Sequence, residues 1–200
     1  WYVATRQGVK VAPLVLAAGQ GSRFGTPSKL LATYQDRPLI SHVCGALAEA
    51  GLNQGFVAIP DDARRAELSA VVPAGFDIEA VDQSDIAMGL SLAALVRRTP
   101  VGHHFLVVLA DQPCLTAAAI RALLDQASDS IPSRLSHQDQ PGHPVFIPAR
   151  FREDLLALKG DNGPRALLKR WGCETVEIDD PWVLFDVDTP QALEELRTHA

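Results

Sequence analysis

The chain has 200 residues, 47% of them apolar, and 24 acidic against 18 basic residues give it a net charge of −6. That is enough apolar material for one core, read as a single domain over residues 1–200, and the acidic balance argues against a nucleic-acid partner. No run of about 18 apolar residues is present, which argues against a membrane-spanning helix, and Cys44, Cys114 and Cys173 are too scattered for a zinc site or disulfide framework and read as reduced thiols of a cytoplasmic protein.

Residues 1–9 read as a flexible or non-native end and are set aside. From there, strand-like apolar runs alternate with amphipathic stretches, which predicts an α/β fold with a mostly parallel sheet. In chain order, a strand over Val11–Ala17 leads into a glycine-rich loop. A helix over Pro38–Ala50 follows, with Leu39, Val43, Leu47 and Ala50 on one face and Gly51 as its stop. Strand Gly55–Ile59, helix Asp62–Val71, strand Asp77–Val81 and helix Ser91–Arg98 come next. Strand His104–Leu109 precedes helix Thr116–Gln126, with Thr116 as N-cap. The polar stretch Ser128–Gly142 reads as a loop around one weak strand. The remainder is strand Pro144–Pro148, helices Ala149–Leu158 and Pro164–Trp171, strand Glu174–Ile178 and helix Pro190–Thr198, the last capped by Thr189.

The loop after the first strand, LAAGQGSRFGTPSK over residues 16–29, carries the chemistry. Glycines let the backbone approach a ligand closely, and successive N–H groups in such a loop can cradle phosphate oxygens. Gly19, Gly21 and Gly25 miss the G-x-G-x-x-G spacing of a dinucleotide fingerprint by one residue, and nothing here fits G-x-x-x-x-G-K-[ST]. Arg23 and Lys29 supply positive charge in the loop. Because ligands of open α/β sheets bind outside the carboxyl ends of the strands, the other loops of interest are those around residues 82–91, 110–114, 136–143 and 186–189.

Asp111, in the turn Ala110–Pro113, is placed to bind a hard cation such as Mg²⁺, together with Asp188 or Asp186; the alternative for the DVDTP aspartates is turn formation and helix capping. The loop Met88–Ser91 offers backbone groups and the Ser91 hydroxyl to a base or ribose, or a plain N-cap. His143 sits between Gly142 and Pro144, and Asp161 and Arg165 lie in a segment that could close over a ligand or simply end one helix and begin another. The residue types fit nucleotidyl transfer, in which an acceptor phosphate attacks the α-phosphorus of a nucleoside triphosphate and pyrophosphate leaves. Lys29 would stabilise the α-phosphate, Arg23 and the glycine loop would hold the β- and γ-phosphates, and Asp111 would hold metal.

The ordered set LAAGQGSRFGTPSK, ADQP, MGLS, GHPV, GDNGPRALL and DVDTP, spread over residues 10–198, resembles the MobA-like nucleotidyltransferase family, nearest to its molybdenum cofactor cytidylyltransferase branch. The resemblance implies a Rossmann-like three-layer α/β/α sandwich of the nucleotide-diphospho-sugar transferase type. It implies CTP as donor, Mg²⁺ as cofactor, a molybdopterin-type phosphorylated acceptor, and a molybdoenzyme or its chaperone as downstream partner. LAAG at residues 16–19 resembles the CTP-using members. The implied nucleotide-binding set is Leu16, Ala17, Ala18, Gly19, Gly21, Ser22, Arg23, Lys29, Gly89, Ser91 and Asp111, with Gln112, His143, Asp161 and Arg165 facing the acceptor. Two alternatives stay open: a relative using GTP or another phosphorylated acceptor, and a non-catalytic protein that delivers cofactor to a molybdoenzyme.

Overall fold

A computed structural model describes residues 10–19, 24, 28–82, 87–160 and 164–199. The expected flexible end at residues 1–9, and the candidate site residues Gly21, Ser22, Arg23 and Asp161, lie outside the described residues. In chain order the elements are β1 (Val11–Leu16), β2 (Thr33–Tyr34), β3 (Arg37–Pro38), α1 (Leu39–Glu49), β4 (Gly55–Pro60), α2 (Arg65–Val71), β5 (Phe76–Val81), α3 (Met88–Arg98), β6 (His104–Leu109), α4 (Ala117–Gln126), β7 (Ser133–His137), β8 (Gln140–Ile147), α5 (Arg152–Leu156), α6 (Arg165–Trp171), β9 (Glu174–Glu177) and α7 (Pro190–His199).

Seven strands form one sheet in the order β5-β4-β1-β6-β8-β7-β9, and β2-β3 form a separate two-stranded ribbon. β5, β4, β1 and β6 are mutually parallel, β8 runs antiparallel between β6 and β7, and β9 is parallel to β7. The sheet is therefore mostly parallel. Its first strand lies inside, with β4 and β5 to one side and β6 to the other, so β1 and β6 flank the point where the strand order reverses. A crevice opens there, outside the carboxyl ends of the two strands.

The apolar run of β1 is buried on both faces, as a central parallel strand requires. Val11 and Val15 join one cluster with Val43 and Leu47 of α1 and Ile120 and Leu123 of α4, whereas Ala12 and Leu14 join a second with Leu92, Leu95 and Val96 of α3, Leu155 of α5 and Leu168 of α6. The period-2 alternation of one strand thus builds two helical layers around the sheet. A smaller cluster of Tyr34, Leu39, Val187, Leu193 and Leu196 seats α7.

The predicted caps form. Gly51 follows α1 at φ 92° and its N–H donates to the Ala48 carbonyl, Thr116 Oγ1 accepts from the Ala119 N–H at 3.2 Å, and Thr189 Oγ1 accepts from the Ala192 N–H at 3.1 Å. Two expectations are corrected. Residues 128–142 are not a loop around one weak strand: β7 and the first half of β8 form a hairpin whose tip residues Gln138 and Asp139 both have positive φ, 48° and 63°, the backbone of a two-residue primed turn. And MGLS does not precede its helix but forms the first turn of α3, with Ala87 as N-cap.

Candidate active site

Lys29 opens a single 3₁₀ turn (Lys29–Leu31) that is pinned by burial of Leu30. Its Nζ donates to Asp111 Oδ2 at 2.5 Å and to Asp188 Oδ1 at 2.7 Å. Burial by itself would lower the lysine pKa, but the Asp111 and Asp188 charges and hydrogen bonds outweigh it, and the net direction is up. Lys29 is thus held as a cation with little exposure.

Asp111 and Asp188 are far apart in sequence, and backbone stitching brings them together. The Val187 N–H donates to the Asp111 carbonyl at 2.9 Å, and the Val187 side chain is fully buried. Gln112, 2% exposed, donates through Nε2 to Asp186 Oδ1 at 2.8 Å and to the Leu184 carbonyl at 3.3 Å. With Val187 pointing inward, Asp186 and Asp188 both face the crevice, as alternation along an extended segment requires. Burial, then repulsion from Asp111, pushes the Asp186 carboxyl up to about 6, against the opposing hydrogen bond from Gln112.

Two cavities open on this edge of the sheet. The first, about 560 Å³, is lined by Leu16–Gly19, Lys29, Leu30, Ala87, Met88, Ser91, Leu109, Asp111, Asp186 and Asp188. The second, about 620 Å³, extends along β8 and β7 past Gln112, Arg134, Gln140, His143, Arg165 and Leu184. Met88, Leu109 and Asp186 line both, so the cavities meet beside the carboxyl end of β6.

In the first cavity, Gly19 has no positive φ, and a Cβ added there would meet nothing within 4 Å. Neither backbone conformation nor packing among the described residues demands that glycine. Ala17 and Ala18 line the cavity but are 2% and 3% exposed and pack into the two cores; the Ala18 methyl gives the cavity little surface. Ala87 caps α3 without a side-chain hydrogen bond, so the uncapped first turn of an 11-residue helix borders the cavity, a favourable place for an anion. Ser91 is buried at 3% in that turn, whereas Gly89 is not among the lining residues.

For metal, Asp111 Oδ1 is the telling atom: it is buried and has no hydrogen-bond partner among the described residues. A hard oxygen of that kind fits a divalent cation. No group of three or more His, Cys, Asp or Glu is positioned to hold a metal among the described residues. The donor set suits a divalent cation that takes one or two carboxylates and completes its shell from water and substrate phosphate.

In the second cavity the β7–β8 ladder shifts register between the Arg134–Val145 and Ser136–Pro141 pairs. Gly142, His143 and Pro144 fall in the extra length on β8, and such irregularities re-aim side chains next to sites. A Cβ on Gly142 would meet three Leu184 side-chain atoms at 2.7–3.1 Å, so this glycine serves packing. Burial, then the Arg134 charge, pushes the His143 imidazole down to about 4; it is neutral at pH 7. Gln112, His143 and Arg165 all line this cavity. Arg134 does too, and the sequence reading missed it because it lies on a strand that reading did not delimit.

The model of the MobA-like NTP transferase domain matches residues 13–191. The chain belongs to this family. Nicotine blue oxidoreductase from Paenarthrobacter nicotinovorans is 28% identical over 196 residues, covering 93% of this MobA-like chain and 96% of the relative. The crystal structure of Rv0371c from Mycobacterium tuberculosis H37Rv has a TM-score of 0.85 at 24% identity, over 95% of this chain and 98% of that one. The structure of the same mycobacterial protein in complex with manganese has a TM-score of 0.82 at 23% identity, over 96% and 100%. These likenesses agree with the Rossmann-like layered fold of the MobA-like chain. No helix among its described residues is long and apolar enough to cross a membrane.

Proposed function

We propose that this MobA-like protein is a cytidylyltransferase that joins CMP from CTP to the phosphate of a molybdopterin-type acceptor, releasing pyrophosphate and giving a cytosine dinucleotide cofactor. The observation that carries this reading is the pair of cavities that meet at Met88, Leu109 and Asp186, with Lys29 and Asp111 in the lining of the first. One chamber can hold a nucleotide, the other an acceptor, and the reacting groups would lie at their border. The choice of CTP and of a molybdopterin rests on the motif resemblance.

In this mechanism the triphosphate lies along the loop after β1 and the first turn of α3. Lys29 leaves Asp111 and Asp188 in part to meet charge developing on the α-phosphate, in a cleft where it costs little reorganisation. An acceptor phosphate oxygen enters from the second cavity and bonds to the α-phosphorus as the bond to the β-phosphate oxygen breaks. Bound Mg²⁺, held by Asp111 with Asp188 or Asp186, would neutralise phosphate charge; the manganese complex of the mycobacterial relative is in keeping with a divalent ion. Gln112 keeps Asp186 oriented, and His143 and Arg165 line the acceptor chamber.

The deciding experiment is mass spectrometry of products after mixing the protein with Mg²⁺, molybdenum-loaded molybdopterin and CTP, GTP or ATP. A cytosine dinucleotide formed only with CTP supports the reading; no dinucleotide with any nucleotide overturns it. The likeness to an oxidoreductase over 93% of the chain favours a second reading, in which the two cavities hold an electron donor and an organic electron acceptor. Acceptor-dependent oxidation of an added reductant, without dinucleotide formation, would establish that alternative.

A further inference from the structure

The second cavity carries polar groups that the protein itself leaves unused. Gln112 is 2% exposed, and both of its donor interactions are spent, on Asp186 and the Leu184 carbonyl. This fixes the orientation of its amide. Its Oε1 is buried without a partner among the described residues, in a side chain that lines the cavity. A buried amide oxygen left unmatched has lost its hydrogen bonds to water without replacing them. Across the same chamber, Arg134 Nε is likewise buried with no hydrogen-bond partner among the described residues, and no ion pair joins its guanidinium to a described carboxylate. Its neighbour His143 is held neutral and offers it no negative charge.

We propose that Arg134 binds an oxyanion of the acceptor and that Gln112 Oε1 accepts a hydrogen bond from an N–H or O–H of the same molecule. This rests on reading the second cavity as the acceptor chamber. Arg134 is absent from the lining of the first cavity and from the residues the two cavities share. The group it holds is therefore not the phosphate that reacts at the border but a second anionic group farther along the acceptor. A guanidinium suits this role because its planar fork meets an oxyanion through two parallel hydrogen bonds. Gln112 adds selectivity: a ligand without a donor at that point leaves a buried oxygen unsatisfied. The chamber is thus matched to an acceptor with an oxyanion, a polar N–H or O–H, and a separate reacting phosphate.

The test is a titration of isotopically labelled protein with phenyl phosphate, followed by nuclear magnetic resonance at the Arg134 Nε–H and the Gln112 side-chain amide. The Arg134 Nε–H should shift saturably with phenyl phosphate, and the Gln112 amide should shift as well when 4-aminophenyl phosphate, which carries an N–H donor, is used in its place. Arg134→Gln should weaken binding at least ~10-fold, and Arg134→Lys, which keeps the charge and the stem, by less. CTP-induced shifts at Gly19 should be the same in wild type and variants. Equal phenyl phosphate affinity in all three proteins, or an unmoved Arg134 Nε–H, overturns the proposal. If CTP produces no shifts while phenyl phosphate binding still depends on Arg134, the donor reading fails and the anion site stands.

Discussion

The two cavities share a border but are built on opposite electrostatic plans. The first sets one lysine among three aspartates, Asp111, Asp186 and Asp188. The second sets two guanidiniums, Arg134 and Arg165, against Asp186 alone. Carboxylates crowded around one ammonium attract divalent metal, and a metal with its phosphates would take over the pairing that Lys29 now provides. A guanidinium such as Arg134, without an ion-pair partner among the described residues, attracts an anion directly. On the proposed reading, an acidic protein of net charge −6 would hold anions in both chambers, by metal in one and by arginine in the other. Global charge does not decide local affinity, because fields within a low-dielectric cleft are set by the nearest groups.

The sharpest way to break this contrast is Lys29→Ala. Removing the cation from the first cavity should lower kcat for product formation by ~10²–10³-fold, the usual scale for loss of one preorganised charge-stabilising donor, while phenyl phosphate binding in the second cavity stays unchanged. Equal losses in both would show that the chambers are not separate.

His143 tests the second chamber by pH. With its pKa at about 4 in the folded protein against an ordinary 6.5, the unfolded chain takes up a proton over that interval and the folded chain does not. Stability falls as pH drops from 6.5 to 4, by up to ~3 kcal/mol. His143→Gln should remove that loss, so its melting temperature relative to wild type should improve as pH falls through the same window. Arg134→Gln should raise the His143 pKa, measured from its ring resonances, because the arginine charge is one cause of the depression.

The two glycines discriminate more finely. Gly142→Ala drives a methyl into Leu184 and should cost about 1–3 kcal/mol in denaturant unfolding. Gly19→Ala meets open space and should change stability by less than ~0.5 kcal/mol, yet weaken CTP binding in calorimetry. Gln112→Leu should raise the acceptor KM ~10-fold and, because it also releases Asp186, the nucleotide KM by a smaller factor. A reversal, with the nucleotide affected and the acceptor not, would move Gln112 to the first cavity.

Much of the first cavity is legible in the sequence, because its residues lie in contiguous segments whose local rules are strong. A buried β-strand running into a glycine loop announces a ligand site, and a caps-and-breakers reading places α1, α4 and α7 nearly to the residue. The hairpin of β7 and β8 was not legible in the same way, since its tip lacks the usual Asn-Gly or Asp-Gly. One signal was nonetheless present. Both such turns among the described residues use Gln-Asp followed two residues later by proline: Gln35-Asp36 with Pro38, and Gln138-Asp139 with Pro141. Aspartate tolerates the left-handed region better than most residues, so the repeat of QDxP marks two hairpins that alternation alone leaves hidden.

The sequence by itself determined the layered α/β class, a glycine-rich loop after the first strand and the residue types near it, because hydrophobic period, glycine placement and helix caps are local properties. Only the tertiary structure decided that Lys29 bridges Asp111 and Asp188, that Gln112 spends both donor interactions on the 184–186 segment, and that Arg134 reaches the same chamber as His143 and Arg165. Those are contacts between segments 72 to 159 residues apart or on non-adjacent elements. They depend on strand order, on a register shift in β8 and on one buried valine, none of which leaves a periodic trace in the chain.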